Sequence, residues 1–567
     1  MGLNSALQIG RTGLLTAQTG LQVTGNNLAN AATPGYKRNT VNLSAISTSE
    51  IQTGVFIGRG VQLDAITRQV NEALQTRLRT SMSDQSFSQS RTDLLKQIEA
   101  IEGQFGDVNL SSKLGKFFDS WSALANNPQS SAARTVVISE STSLSKYVQQ
   151  LDGDVKALRK QTNAAIDQSV ATVNDLLGRV EQLNREIASH GKGAIGGAGS
   201  LRDQRDQILE ELSQYMDIST VEMPSGSMDI YVGSTPIVMN GKAEKIDIKL
   251  ENDSDNYIPI VVAGSDKQPL DIRSGQLGAL IDYRTGDLEE TIDSIDNFAK
   301  QLIWEVNRLH SQGQGTKGYS SITSTNGATD PAAALNSEEA ELDFLPEHGS
   351  FKIHVTDSQS GQRTTSLISI DLDGIGADSS LNDIAAQLNA VAGVSATVTA
   401  DGRLQLDADG SGMELSFTED TSGFLASMGI GTFFTGTGAK DIGVNQTVAT
   451  DTAYIAAGQE HLSGDNRNAL AIDALRSASV DGLGGLSLNE FWNRHVQDIA
   501  VATAQANEQA QADGTVMEAL QAQQQAVSGV NTDEEAINLM QYQQAYQASA
   551  RYINVVNQLM ETLMGLI

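Results

Sequence analysis

The stretch from Thr532 to Ile567 constrains this chain more than any other. Stepping along it by three and four residues meets Leu539, Tyr542, Tyr546, Ser549, Ile553, Val556, Met560, Leu563 and Ile567. All but Ser549 are apolar. That spacing is a heptad seam, the stripe that one helix buries against another. Ala545, Ala548, Tyr552, Val555 and Leu559 widen it. Asn531 or Thr532 can cap the start, and Asp533, Glu534 and Glu535 suit the positive end of the helix dipole. A seam this apolar at a chain terminus requires a partner.

The other terminus offers one. Leu3, Leu7, Gly10, Leu14, Ala17, Leu21, Thr24, Leu28 and Ala31 step in the same way. Both seams are nearly free of charge. We therefore expect the two helices to pair with each other and with neighbouring copies, rather than each packing on its own globular body.

Composition narrows the function classes. Acidic residues outnumber basic ones, 69 to 38, and the net charge is −31. That argues against nucleic acid or an anionic membrane as a partner. With no cysteine, disulfides, thiolate metal sites and thiol nucleophiles are excluded. No stretch is long and apolar enough to span a bilayer. The first basic residue is Arg11, and no compact apolar run leads to a small-residue cleavage site. A cleaved secretory signal is therefore not expected.

At 567 residues the chain holds more than one domain. The expected fold is multidomain α plus β: paired terminal heptad helices, a body of long helices, and two β-rich inserts. Residues 1–70 with 530–567 form the terminal coiled-coil assembly domain. Residues 71–216, 275–312 and 451–529 form the helical body, where apolar residues recur at helical spacing. The pattern over 131–190 is one very long helix, broken at most near Gly153, and 191–199 reads as a flexible loop. In 217–274 the apolar period becomes two, between Gly, Pro and Asp turns, which gives a small β domain. Residues 313–450 form an α+β outer insert, with strands near 351–355 and 366–372, a helix at 381–391 and a hairpin at 395–406. From about 452 to 528 the chain is expected to be helical.

Between the first seam and the first strands lies Asn26-Asn27-Leu28-Ala29-Asn30-Ala31-Ala32-Thr33-Pro34-Gly35-Tyr36-Lys37-Arg38. Thr33-Pro34-Gly35 stops the helix, because a residue before proline leaves the helical region. This stretch resembles the N-terminal signature of the bacterial flagellar axial proteins, the rod, hook and hook-associated proteins. Four internal pieces resemble the hook-associated branch: residues 117–128, 201–212, 432–438 and 463–470. The resemblance implies a non-catalytic subunit that assembles at the distal end of the hook and connects hook to filament. It implies partners: further copies of the chain in a ring, hook protein and hook-associated protein 3. It also implies a cytoplasmic export chaperone on Leu539–Ile567 and the flagellar type III export apparatus. The location it implies is extracellular, reached without a cleaved signal peptide. A hook or distal-rod subunit is the alternative, since it would share the termini.

Catalytic signals are weak. Gly313-x-Gly315-x-x-Gly318 follows a helix instead of a strand, fails the context of a dinucleotide site and reads as a linker. Asp407-x-Asp409-x-Ser411-Gly412 opens like a calcium loop but has Thr418 where the closing glutamate belongs. The six histidines form no i, i+4 pair. No catalytic, cofactor or metal residues are assigned. The expected site is the pair of seams: Leu3, Leu7, Leu14, Ala17, Leu21 and Leu28 against Leu539, Tyr542, Tyr546, Ile553, Val556, Met560, Leu563 and Ile567. The signature residues Asn26, Asn27, Leu28, Ala29, Asn30, Pro34, Gly35, Tyr36 and Lys37 complete it.

Overall fold

The computed structural model describes residues 2–47, 49–52, 55–103, 109–190, 198–253, 256–264, 266–460, 462 and 464–565. The chain opens with α1 (Gly2–Ala29), β1 (Asn39–Ala45), β2 (Ser49–Gln52), β3 (Val55–Ile57) and β4 (Val61–Arg68). Four helices follow: α2 (Glu72–Glu102), α3 (Leu110–Asn126), α4 (Ser131–His190) and α5 (Gly199–Tyr215). Then come β5 (Ser219–Glu222), β6 (Met228–Val232), β7 (Thr235–Met239), β8 (Lys242–Ala243), β9 (Ile246–Asp253), β10 (Asn256–Ala263) and β11 (Gln268–Pro269). After α6 (Gly275–Thr285) and α7 (Asp287–His310) lie β12 (Ser321–Gly327), β13 (Gly349–Asp357), β14 (Arg363–Ile370) and α8 (Leu381–Asn389). The strands β15 (Val394–Val398), β16 (Arg403–Ala408) and β17 (Met413–Thr418) precede α9 (Phe424–Met428), β18 (Phe434–Thr435), β19 (Gly443–Val444) and α10 (Gln446–Thr450). The last helices are α11 (Arg467–Ala474), α12 (Leu488–Ser528) and α13 (Thr532–Met564).

Contacts divide the chain into two units. The first comprises Met1–Leu94, Thr162–Thr285 and Thr503–Ile567, and the second Leu95–Gln161 and Gly286–Ala502. The architecture is multidomain α plus β, with long helices and several small sheets. Among the described residues no helix is long and apolar enough to cross a membrane.

In the first unit α1 pairs with α13. Beside them β1 and β4 form an antiparallel ribbon with an irregularity between Asn42 and Leu43. Strands β5-β6-β7-β8 and β11-β10-β9 make two more sheets. Ile230, Val232, Ile237, Val238 and Ile246 are fully buried; Ile230 and Val232 share one face of β6, whereas the neighbours Ile237 and Val238 show that both faces of β7 are covered.

In the second unit β12-β16-β15 and β14-β13-β17 form two three-stranded sheets. They share a core in which Phe351 stacks on Phe424 at 5.6 Å. The helix α8 is held by a capping box: Ser380 accepts from the Asp383 N–H while Asp383 reaches back to Ser380.

The expected long helix over 131–190 is present and unbroken at Gly153, α4 being one 60-residue helix. A Cβ at Gly153 would meet nothing within 4 Å, so the glycine costs about 1 kcal/mol of propensity, and flanking buried residues such as Val148, Leu151 and Val155 outweigh it. Several details differ from expectation. The run 452–528 is not continuously helical. Among the described residues its first part holds α11 and short turns, Val480 bridges Leu486, and the long helix starts at Leu488. The glycines 313, 315 and 318 are not a loose linker. Gln314 bridges Gly458, and a Cβ on Gly315 would lie 2.1 Å from the Ala453 carbonyl oxygen. That packing requires glycine, whatever the sequence motif suggests. Of the expected 191–199 loop, residues 191–197 lie outside the described residues, and Gly199 already opens α5.

The core of the second unit contains a neutral histidine. His310 Nδ1 donates to the Gly431 carbonyl at 2.8 Å, and its Nε2 accepts from the Ala456 N–H at 3.0 Å. Burial pushes its pKa down to about 4. Between that value and about 6.5 the unfolded chain binds a proton that the folded chain does not. Stability contributed by His310 is therefore complete above about pH 6.5 and lost as pH falls toward 4, by up to about 3 kcal/mol. Denaturant titrations at pH 7 and pH 5, with tryptophan emission as the readout, should show this loss. Replacing His310 by Phe should lower stability at pH 7 and flatten the pH dependence.

Candidate assembly site

The α1–α13 pair is antiparallel and is set by glycines. A Cβ on Gly10 would lie 2.8 Å from Ile553 Cγ1, one on Gly13 would be 3.0 Å from Ser549 Oγ, and one on Gly20 would be 2.4 Å from the Tyr542 ring. Lower on the same line Asn27 meets Glu535. Gly10, Gly13, Ala17, Gly20, Thr24 and Asn27 thus form a seam of small residues at heptad spacing, and Ala17, Thr24 and Asn27 are at most 3% exposed. Small residues let two helices approach closely. This seam lies beside the expected leucine line. Leu3, Leu7, Leu14 and Leu21 are half-buried and Leu28 is exposed. The expected line shared Gly10, Ala17 and Thr24 with the buried one.

On α13, Val556 is buried, while Leu539, Tyr542, Ile553 and Met560 are partly covered. Tyr546 and Leu563 are exposed, and Ile567 lies outside the described residues. Ile537, Met540, Val555 and Leu559 are each more than half exposed. The pair therefore leaves a large apolar part of α13 uncovered within the chain.

The signature motif is a latch at the foot of the pair. Asn27 uses all of its hydrogen-bonding capacity. Its Nδ2 donates to the Asn39 carbonyl at 2.8 Å and to Glu535 Oε2 at 3.0 Å. Its Oδ1 accepts from the Asn39 N–H at 3.0 Å and from the Tyr36 hydroxyl at 2.8 Å. Aspartate would lack the donors and repel Glu535, and glutamine would be a carbon too long. Glu535 is buried and also receives Arg38 Nε at 2.8 Å. The hydroxyl of Tyr36 accepts from Asn26 at 3.2 Å, and burial is the main cause of its raised pKa. Asn30 ties back to the Asn26 carbonyl at 2.9 Å, while Ala29 is exposed.

Internal pieces complete the latch. Pro34 presents its carbonyl to Gln207 at 2.6 Å. Gly35 has φ +75°, and a Cβ there would lie 2.0 Å from Gln207 Nε2. Lys37 is buried, with its N–H 3.4 Å from Asp203. Asp203 and Asp206 both pair with Arg68. Burial is the largest influence on Asp203 and pushes its pKa up to about 6, against the pull of Arg68. The 201–212 piece is therefore the seat of the N-terminal signature.

In the second unit the other internal pieces meet. Phe117 and Trp121 pack on Phe433 and Phe434 with centroids 5.2–6.5 Å apart. Asn466 donates to the Ala125 carbonyl at 2.7 Å, and Asn468 to that of Ala456 at 2.8 Å. Ser463 lies outside the described residues.

Each described histidine has a protein partner, and His461 lies outside the described residues. His348, Asp371 and Asp373 place ligand atoms within 4.8 Å of one another, but all three are exposed. His348 and Asp371 sit one step beyond the last rungs of the β13–β14 ladder, 3.2 Å apart. Asp407 and Asp409 are engaged by Ser321 and Ser395.

Residues 95–323 match the helical domain of flagellar hook-associated protein FlgK, and 7–37 match the flagella basal body rod protein family. Residues 523–566 match the C-terminal family of the flagellar basal body rod proteins FlgEFG, and 351–410 match the flagellin hook IN motif. The flagellar hook-associated protein 1 sequences of Escherichia coli (strain K12) and Salmonella typhimurium are each 27% identical over the full length of both chains. That of Bacillus subtilis is 23% identical over this whole chain and 98% of its own. The chain belongs to the flagellar hook-associated protein 1 family. It is a structural component of the bacterial flagellum. The flagellar hook junction protein FlgK from Burkholderia pseudomallei shares its fold, with a TM-score of 0.50 and 15% identity over 80% of this chain and all of the other.

For this family member, the glycine seam and the Glu535 contact were not assigned from sequence. The signal was present as the 3–4 spacing of Gly10, Gly13, Ala17 and Gly20, beside more conspicuous leucines. Two glycines should respond oppositely to alanine. Gly25 has nothing within 4 Å of a new Cβ, so Gly25→Ala should stabilise α1 by about 0.5–1 kcal/mol. Gly20→Ala should instead loosen the pair by about 1–3 kcal/mol through overpacking on Tyr542. Hydrogen exchange along α13 in the full chain reads both. Asn27→Ala should cost about 2–4 kcal/mol, because Glu535 stays buried with one partner fewer, and faster exchange near Glu535 should report it.

Proposed function

We propose that this chain is a non-catalytic subunit of the flagellar hook–filament junction. It assembles as a ring at the distal end of the hook and joins hook protein on one side to hook-associated protein 3 on the other. The observation that carries this reading is the terminal pair. One face of α13 is latched to α1, while Ile537, Met540, Val555 and Leu559 remain more than half exposed. An apolar face of that extent on a soluble chain marks an interaction surface, and further copies of the chain are its occupants. Full-length likeness to hook-associated proteins 1 supports the junction position over a hook or distal-rod subunit.

The chain travels unfolded through the flagellar type III apparatus without a cleaved signal. A cytoplasmic chaperone covers Leu539–Ile567 before export. Isolated terminal helices are marginal in water, which suits a chain that must thread before it assembles.

Purified chain mixed with isolated hook polymers, imaged by electron microscopy, tests the junction role. A thin, self-limited cap at one tip is expected. Unlimited growth would move the assignment to a hook- or rod-type subunit, and no tip binding by folded protein would overturn both. Deleting residues 539–567 should abolish capture by the chaperone; unchanged capture would refute that partner.

A further inference from the structure

The first unit also holds a polar cavity of about 530 Å³ walled by four arginines, Arg68, Arg79, Arg202 and Arg205. The carboxylates on its wall are Glu72, Asp206 and Glu222. Asp203, which pairs with Arg68, brings the carboxylates to four, so charge is balanced in number but unevenly distributed over the four arginines.

The pairing is uneven. Arg68 is engaged by Asp203 and Asp206. Arg202 and Arg205 share the single carboxylate Glu222, at 3.2 and 3.5 Å. Arg205 is 1% exposed, and its Nε is buried without a hydrogen-bond acceptor. Arg79 is 6% exposed, and among the described residues it has no carboxylate within ion-pair distance. Its NH2 donates only to hydroxyls, Thr220 at 2.9 Å and Thr76 at 3.4 Å. Burial depresses the pKa of both Arg79 and Arg205, against the opposing pull of Asp206, Glu210 and Glu72 on Arg79 and of Glu222 and Asp206 on Arg205.

A buried cation is costly unless it is paired. Arginine forks hold carboxylates and phosphates in bidentate geometry. Thr76, Gln75 and Asn39 add neutral groups that can hydrogen-bond to the same ligand. We propose that this cavity is a binding site for one oxyanion of the phosphate or carboxylate class, held chiefly by Arg79 with Arg202 and Arg205. Binding gives Arg79 the anionic partner it lacks and ties together β4, α2, α5 and β5, the elements that carry the cavity wall. Neither the site nor its test depends on the junction reading.

The test uses the full chain in chloride buffer. Inorganic phosphate is added at constant ionic strength, with calorimetry and thermal unfolding as readouts. A saturable rise in Tm and a stoichiometry near one are expected. Arg79→Gln should weaken phosphate at least ten-fold and Arg79→Lys less, since lysine keeps the charge but not the fork. Arg179→Gln, at an exposed position outside the cavity, should bind like the parent. If Arg79→Gln does not fold, Thr220→Val replaces it and should weaken binding several-fold. Absence of a saturable response in the folded parent, or an equal response in parent and Arg79 variants, overturns the proposal and leaves a water-filled cavity. Sedimentation with and without phosphate separates two sources of the oxyanion. Dissociation of an oligomer by phosphate identifies a carboxylate of a second copy, whereas an unchanged sedimentation coefficient identifies a free ion.

Discussion

The contact between Asn27 and Glu535 holds the first unit's termini together. It joins residues more than five hundred positions apart, and it is buried. A buried carboxylate is tolerable only when its oxygens are met by donors. Asn27 and Arg38 meet them, and Asn27 in turn is fixed by Tyr36 and the Asn39 backbone. Register along the rest of α1 and α13 follows from this anchor. Moving up the pair, each step brings a small residue of α1 under a larger one of α13, Gly20 under Tyr542 and Gly10 under Ile553.

That arrangement gives the seam an unusual division of labour. Small residues bury little apolar area, so the pair gains less from the hydrophobic effect than a leucine seam would. It gains closeness and register instead. The leucines that a heptad reading favours are left half-covered or exposed, together with much of α13. A helix pair satisfied by close backbone contact can keep its larger side chains for other chains. The same logic explains why the terminal helices need the latch: without it, a glycine-lined pair has few means to resist sliding.

Polar residues elsewhere perform comparable anchoring. In the first unit, Arg68, Asp203 and Lys37 seat the signature loop on α5. In the second unit, His310 bridges two backbone segments beneath Trp121 and Phe433. The internal pieces that stand out in the sequence are knots of this kind, where several segments meet. Their side chains satisfy backbone groups that no regular element reaches.

Much of the element plan was legible in the sequence, because periodicity is a local property. The 3–4 spacing marked α1, α2, α3, α4 and α13, and the period of two marked the strands of both inserts. Local reading failed where a distant partner decided the outcome. Gly313 and Gly315 read as a linker, yet Asn468 and Ala453 pack so closely that no other residue fits. The α1 stripe contained two overlapping heptad lines, leucine and glycine, and spacing alone could not choose between them. By itself, then, the sequence determined that both termini are helices with seams in need of partners, and that the chain belongs with the flagellar axial proteins. Only the tertiary structure decided which line of α1 faces α13, that Glu535 closes the latch, and that four arginines converge on one cavity. Side-chain pairing across hundreds of residues depends on the packed backbone, and periodicity carries no record of it.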